Sequence, residues 1–470
     1  MFDLSTTLLI LLIICLIAAC AFEFVNGFHD TANAVATVIY TNSLKPLPAV
    51  IWSGFCNFTG VISSMFIGGL AVAMSIVNLL PVESLIDQNV YHSIAMVLAL
   101  LLSAIIWNLG TWYFGIPASS SHTLIGSILG VGLAFTFMPE STGSAVNWSK
   151  AADIGLSLLV SPLFGFGMTI FMMFIMKRIS KNKALFAEPK PNEKPPFLIR
   201  SLLILTCSGV SFFHGSNDGQ KGVGLIMLIL IGIVPIHYAL DNTKNPSHYK
   251  QHVVAIEKMI EKMDTLQLSG KERKSLAMAK QNLDNVNRTI FAAQSVNEIP
   301  KEQRFSIRKD ILVSTRSIDK IVKGGNLQLS EQETKTLKSE IKKIKELTDY
   351  SPFWVVLVVS ISLGLGTMVG WKRIVVTVGE KIGKQHLTYA QGASAELVAA
   401  STIGLSSYFG LPVSTTHVLS SGIAGSMVAN KGMSNLQPKT IKNILLAWVL
   451  TLPVTMILSA LLYLLFRAIL

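Results

Sequence analysis

Nine stretches of this 470-residue chain are predominantly apolar: 4–25, 48–80, 93–114, 117–137, 154–176, 198–236, 352–371, 391–429 and 441–469. A helix needs roughly 20 apolar residues to cross a bilayer, and several of these runs exceed one crossing. We therefore expect an all-α polytopic membrane protein with about 10–12 transmembrane helices. A hydrophobic fraction of 51%, a charged fraction of 14% and a mean hydropathy of +0.53 exclude an ordinary soluble globular domain.

The formal charge of +12 would suit a nucleic-acid partner in a soluble protein. Here the basic residues lie in loops between apolar runs, where they report topology, so no nucleic acid is expected. Loops 177–200 and 241–350 are basic and belong on the cytoplasmic side, whereas the loop at 81–92 carries Glu83 and Asp87 without Lys or Arg and belongs outside. Cys15, Cys20, Cys56 and Cys207 all fall in apolar runs without metal-ligand spacing and read as small buried hydrophobes. LIAAC, ending at Cys20, resembles a lipoprotein cleavage site, but MFDLS lacks a basic n-region, so a retained first helix is expected.

Two pairs of segments repeat within the chain. NGFHDTANAV, ending at Val35, matches HGSNDGQKGV, ending at Val223, with Gly27, Asp30 and Val35 falling on Gly215, Asp218 and Val223 at an offset of 188. YFGIPASSSHTLIG from Tyr113 matches YFGLPVSTTHVLSS from Tyr408 at an offset of 295. The two offsets differ by 107, so the second copy must hold about that many extra residues between its motifs, and the polar segment 241–350 supplies 110. The chain thus divides into a first membrane repeat (1–190), the start of a second (195–240), an insertion (241–350) and the remainder of the second repeat (351–470). An odd number of crossings per copy would make the repeats inverted, an arrangement that places substrate sites at the repeat interface, often on broken helices or hairpins. We expect the first apolar run to break at NGFHD.

The insertion holds 36 of the 66 charged residues. Its segments 249–267, 271–294, 300–322 and 331–348 show helical apolar spacing with abundant Lys and Glu, which predicts a small soluble helical domain. It carries no phosphate loop, metal cluster or catalytic constellation, so its default role is structural or regulatory; a basic face near anionic lipid is the alternative.

Ionisable groups at bilayer depth are expensive and mark substrate or ion paths. Asp30 and Asp218 form the obvious pair, and their recurrence in both copies argues against mere capping of a broken helix. Asn33, Asn217 and Gln220 offer amides nearby, and Gly27, Gly215, Gly219 and Gly222 would let the backbone bend or approach a ligand. In the second motif, Pro117 precedes Ser119, Ser120 and Ser121, and Pro412 precedes Ser414, Thr415 and Thr416. Proline suits the first turn of a helix and Ser or Thr its cap, so each motif should present free N–H groups, a positive dipole end and hydroxyls to an anion. Carboxylates would repel a bare oxyanion such as sulfate, but the hydroxyls of hydrogen phosphate or arsenate can donate to them.

With these residues, the chain resembles the inorganic phosphate transporter (Pit) family. FHDTANA and HGSNDGQKG are similar to its paired G-x-N-D-x-x-N-A signatures, and GIPASSSHT and GLPVSTTH to its paired G-x-P-x-S-x-x-H segments. The resemblance covers both membrane halves and is strongest to the bacterial low-affinity permeases. It implies phosphate uptake by proton symport, with uptake also as neutral complexes of Mg, Ca, Zn or Mn. It implies phosphate contacts from Asp30, Asn33, Asn217, Asp218, Ser119, Ser120, Ser414 and Thr415. It further implies arsenate as a second substrate, no cofactor, no fixed metal and no enzymatic activity. The location implied is a bacterial inner membrane, with the insertion cytoplasmic and a homodimer left open.

Three positions depart from the family pattern. His29 stands where Asn is usual, Lys221 replaces the second-copy Asn that Asn33 matches, and Asn57 lies where some sodium-coupled relatives carry Glu, although Glu396 is kept. Lys221 either supplies a fixed positive charge in place of a coupling ion, favouring protons over sodium, or simply pairs with Asp218 three residues earlier. Glu23, two helical turns before Asp30, reads equally as a proton-path residue or a helix-end group. His122 and His417 read as hairpin support with Ser121 and Thr416, and His214 is undecided. Lys372, Arg373, Lys381 and Lys384 read as ordinary cytoplasmic charge. A sodium-coupled symporter and a permease for another oxyanion such as sulfate remain the rival functions. An intramembrane Ser121–His122 enzyme is disfavoured because adjacent helical side chains diverge, and a channel because the polar groups cluster locally.

Overall fold

The computed structural model describes the chain except residues 1–3, 67–68, 81–88, 140, 142–145, 191–192, 264–266, 291–292 and 325–328, together with the side chains of 31–33. Most of the acidic loop expected outside, including Glu83 and Asp87, and the side chain of Asn33 therefore lie outside the described residues.

Two compact units result, one of residues 4–229 and 352–470, the other of 230–351. The first contains α1 (Thr6–Tyr40), α2 (Pro46–Ser64), α3 (Ala71–Val77), α4 (Val90–Tyr113), α5 (Ser120–Thr136), α6 (Trp148–Ile179) and most of α7 (Phe197–Ile233). The second holds α8 (Lys250–Glu261), α9 (Gly270–Ile290), α10 (Lys301–Lys323) and α11 (Glu331–Lys345). The chain returns to the first unit with α12 (Phe353–Thr367), α13 (Lys372–Val376), α14 (Tyr389–Tyr408), α15 (Thr415–Lys431) and α16 (Pro438–Ile469).

Among the described residues, five helices are long and apolar enough to cross a membrane: α1, α4, α6, α7 and α16. A sixth span forms if α12 is joined across a 56° bend to Lys372–Lys381. This is fewer than the 10–12 crossings expected from apolar runs. Part of the difference has a physical reason: α5 and α15 each begin after a Gly-x-Pro break and reach only 17 residues. Leu159, Leu163, Phe171, Leu205, Val449 and Ile457 on the long helices point outward, as a lipid-facing surface requires.

Where a break at NGFHD was expected, α1 runs unbroken from Thr6 to Tyr40, and α7 likewise carries HGSNDGQKG inside a continuous helix. The motif glycines serve helix packing instead. A Cβ on Gly27 would stand 2.8 Å from the backbone nitrogen of Thr367 on α12, and one on Gly215 2.8 Å from the Asn57 Cα on α2. Close backbone approach through small residues is how helices associate where lipid removes the hydrophobic drive between them. Polar signature residues thus sit mid-helix on α1 and α7, braced by α12 and α2.

The second motif forms a pair of matched turns. Gly115 (φ +64°) and Gly410 (φ +68°) take the left-handed conformation that lets the chain reverse before Pro117 and Pro412. The prolines lie ahead of the helices and not in their first turns: α5 starts at Ser120 and α15 at Thr415, capped by Ser119 and Ser414. α5 then packs on α16, while α15 packs on α6. Each hairpin helix therefore lies against the closing helix of the other copy, with Gly126 and Gly130 against α16 and Gly422 and Gly425 against α6 or α14.

In the second unit, α8 to α11 follow the four segments marked by their apolar spacing and bury one stripe each. Val253, Ile256, Leu283, Val286, Ile311, Ile318, Leu337 and Ile341 share its core. A capping box of Ser330 and Glu333 starts α11. Arg308 lies in this core with its guanidinium donating to the carbonyls of Ala239 and Thr348, at 3.0 and 2.6 Å.

Candidate substrate site

Asp30 on α1 is the point on which both hairpins converge. Ser120, in the first turn of α5, donates to its Oδ2, and Thr416, in the first turn of α15, donates to Oδ1 at 2.7 Å. The imidazole Nδ1 of His29 lies 3.0 Å from the same carboxylate and its Nε2 lies 3.1 Å from the Thr111 hydroxyl on α4. The Ser120 hydroxyl also lies 2.7 Å from the Asn26 side-chain oxygen, so its one proton is shared between the two acceptors. The first turns of two helices, with their positive dipole ends, thus border a buried carboxylate.

Asp218 on α7 anchors a second cluster. The Lys221 ammonium donates to Asp218 Oδ1 at 2.6 Å, to the Ser121 hydroxyl at 2.5 Å and to the Val413 carbonyl at 3.0 Å. Three donors meet three oxygens, one on each of α7 and the two hairpins, and the group is buried. Both readings of Lys221 thus retain support: it pairs with Asp218, and it places a cation against both hairpins. Asn217 braces the second hairpin by donating to Ser407 and the Leu411 carbonyl, at 3.1 and 3.2 Å, while its own oxygen accepts from the Val413 amide.

The two clusters meet. One ligand atom each from Asp30, His214 and Asp218 lies within 4.8 Å of the others, and among the described residues this is the one such group of His, Cys, Asp or Glu. His214 Nδ1 lies 2.8 Å from the Asn57 carbonyl oxygen and Nε2 3.6 Å from Asp218 Oδ2. Two carboxylates and an imidazole could ligate a divalent cation. Asp218 Oδ2 in this group is buried without a hydrogen-bond partner, and so is Thr415 Oγ1, the residue before Thr416.

Several expected residues stand elsewhere or act differently. Ser119 and Ser414 cap α5 and α15, accepting from the His122 and His417 amides at 3.2 and 3.1 Å. His122 and His417 lie with ring centroids 4.4 Å apart and planes tilted by 35°, and His417 stacks on Trp448 at 3.9 Å. Glu396 accepts from the hydroxyls of Thr37 and Thr206. Glu23 accepts from Asn26 at 3.4 Å, lies against Gly222 of α7, and keeps one carboxylate oxygen without a partner. Sequence reasoning underrated Thr416 and His214. His214 was legible as the residue one helical turn before Asp218, as Asn26 is before Asp30; which hydroxyl of the triplet reaches Asp30 was not.

A family model described as the phosphate transporter family matches residues 26–459. A low-affinity inorganic phosphate transporter of Buchnera aphidicola (subspecies Acyrthosiphon pisum) is 43% identical, over 98% of this chain and 97% of its own length. The low-affinity inorganic phosphate transporter PitA of Escherichia coli is 42% identical over the same shares. A solved structure of "the sodium-dependent phosphate transporter" is similar in fold, with a TM-score of 0.55 at 22% identity, covering 98% of this chain and 100% of that one.

Proposed function

The chain belongs to the phosphate transporter family, and we propose that it imports inorganic phosphate as a proton symporter, by alternating exposure of a site between two inverted repeats. The observation that carries this reading is the convergence of Ser120 and Thr416, one hydroxyl from each repeat, on the buried Asp30. Hydroxyl and helix-end N–H donors suit the phosphate oxygens, and the Asp30 and Asp218 carboxylates accept from the hydroxyls that protonated phosphate or arsenate carries and sulfate lacks. In this reading Asn217 holds the second hairpin in place and Thr415 is free to donate to the anion.

Proton coupling is supported by Lys221, whose ammonium occupies the carboxylate, hydroxyl and carbonyl oxygens that would otherwise hold a metal cation. In this reading His29, Glu23 and Glu396, all buried and titratable, belong to the proton path. The protein is read as residing in a bacterial inner membrane, with 241–350 as a cytoplasmic helical insertion.

A second reading concerns the form of the substrate. The approach of Asp30, His214 and Asp218 favours phosphate carried with a divalent metal, the cation meeting this group and the anion the hairpins. Uptake of radiolabelled phosphate into proteoliposomes, under imposed pH or sodium gradients and with or without divalent metal, separates these forms. Uptake driven by an inward pH gradient without sodium supports proton symport, and uptake that requires sodium at fixed pH overturns it.

A further inference from the structure

Lys372, Arg373 and Lys381, plain topogenic charge by sequence, surround one cavity of about 650 Å³ together with Trp112, Tyr113, Gly115, Gly370 and Thr377. Among the described residues no Asp or Glu lines it, and Glu380, next to Lys381 in sequence, accepts from the Tyr40 hydroxyl. The cavity is built and not merely a cluster of loose lysines. Arg373 donates to the Tyr113 carbonyl at 2.8 Å and its guanidinium lies 5.2 and 5.0 Å from the Trp112 and Tyr113 ring centres. Trp112 donates to the Gly370 carbonyl at 2.7 Å, and Thr377 to that of Gly115 at 2.7 Å. A cleft lined by one sign of charge concentrates field and counter-ions.

The cavity abuts the substrate site. Trp112 stands edge-on to Phe28 at 5.2 Å, and the adjoining pair Thr111 and His29 are hydrogen-bonded, one residue from Asp30. The equivalent turn of the other repeat has the same Tyr–Phe geometry, with ring centres 5.4 Å apart in both. There, however, the Gly410 carbonyl accepts from Ser75 of α3, a helix with no charged residue. Among the described residues three cations line the first turn's cavity and none lies on the helix against its counterpart, and by the positive-inside rule the basic mouth faces the cytoplasm.

We propose that this cavity binds a phosphate group at the inner mouth of the transport route, either free phosphate passing to or from the Asp30 site or the headgroup of an anionic lipid. The proposal rests on the phosphate-import reading for the route and on its own geometry for the anion. Lys372 and Lys381 supply mobile charge, and Arg373, fixed over two rings, shapes the wall.

The test uses the full-length K372Q/K381Q double variant, since both side chains are exposed and Arg373 is left to hold the fold. Half-saturating phosphate is measured from each face in membrane vesicles of either orientation, and phosphatidylglycerol retained by the purified protein is read by native mass spectrometry. If free phosphate is the ligand, half-saturation rises between about fivefold and thirtyfold from one face only, each lysine near an anionic surface contributing a factor of roughly five. If a headgroup is the ligand, retained phosphatidylglycerol falls by a similar factor and half-saturation is unchanged from both faces. A variant with an unchanged thermal midpoint that matches the parent in both measurements overturns the proposal. Lipid retention is read without transport, so a parent protein that moves no phosphate would sink the function reading while the cavity is still tested.

Discussion

Lys221 and Ser121, 100 residues apart in sequence, are joined by a 2.5 Å hydrogen bond from the ammonium to the hydroxyl. The second repeat's basic residue is thereby bonded to the first repeat's hairpin, and Asp218 and Val413 complete its donors.

Removing that ammonium exposes an oxygen set suited to a small cation. In Lys221→Asn we expect phosphate uptake to become stimulated by sodium at fixed pH, and the response to a pH gradient to weaken. Breaking a buried charge pair costs about 3–5 kcal/mol, so the variant's thermal midpoint must be followed in parallel. Uptake indifferent to sodium in a folded variant would return Lys221 to a purely structural role.

Asp30→Asn and Asp218→Asn keep side-chain shape while replacing a carboxylate that accepts from Ser120 and Thr416 in the first case and from the Lys221 ammonium in the second. Charge-assisted bonds contribute about 1.5–3 kcal/mol each, so phosphate kcat/KM should fall at least about tenfold in either variant. Normal transport by one of them would remove that Asp from the site.

Competition separates the oxyanions. Arsenate, which carries a hydroxyl at neutral pH, should compete with radiolabelled phosphate, and sulfate, which has only acceptors, should not. Equal competition by both would sink the proposed role of the Asp pair.

Gly27→Ala and Gly215→Ala should each destabilise by about 1–3 kcal/mol, because the new Cβ meets backbone atoms of α12 or α2 and no flexible side chain. Gly155→Ala on α6, where nothing lies within 4 Å, is the control and should leave the thermal midpoint unchanged or raised. A Gly27→Ala protein as stable as the parent would argue that α1 and α12 separate readily.

The legible parts of the molecule were those governed by local or compositional rules. Apolar runs report bilayer burial, the i to i+4 spacing of α8 to α11 reports one buried stripe per helix, and paired motifs report duplication, all without knowledge of distant contacts. Asp30 and Asp218 were legible because a carboxylate in an apolar run has few bland explanations.

What the sequence by itself determined is thus the membrane class, the paired motifs, the helical segment between them and the two carboxylates with their hydroxyl triplets. Only the tertiary structure decided that NGFHD stays helical, since a glycine there can serve a bend or a close neighbour, and the approach of Thr367 on α12 selects the second. It alone decided that Ser120 and Thr416, unequal positions in matching triplets, both reach Asp30, and that Lys221 turns to Ser121. It alone gathered Lys372, Arg373 and Lys381 around one cavity beside Trp112. The physical reason is common to all of these: a local motif sets which atoms a helix can offer, while packing between distant segments sets which of them meet.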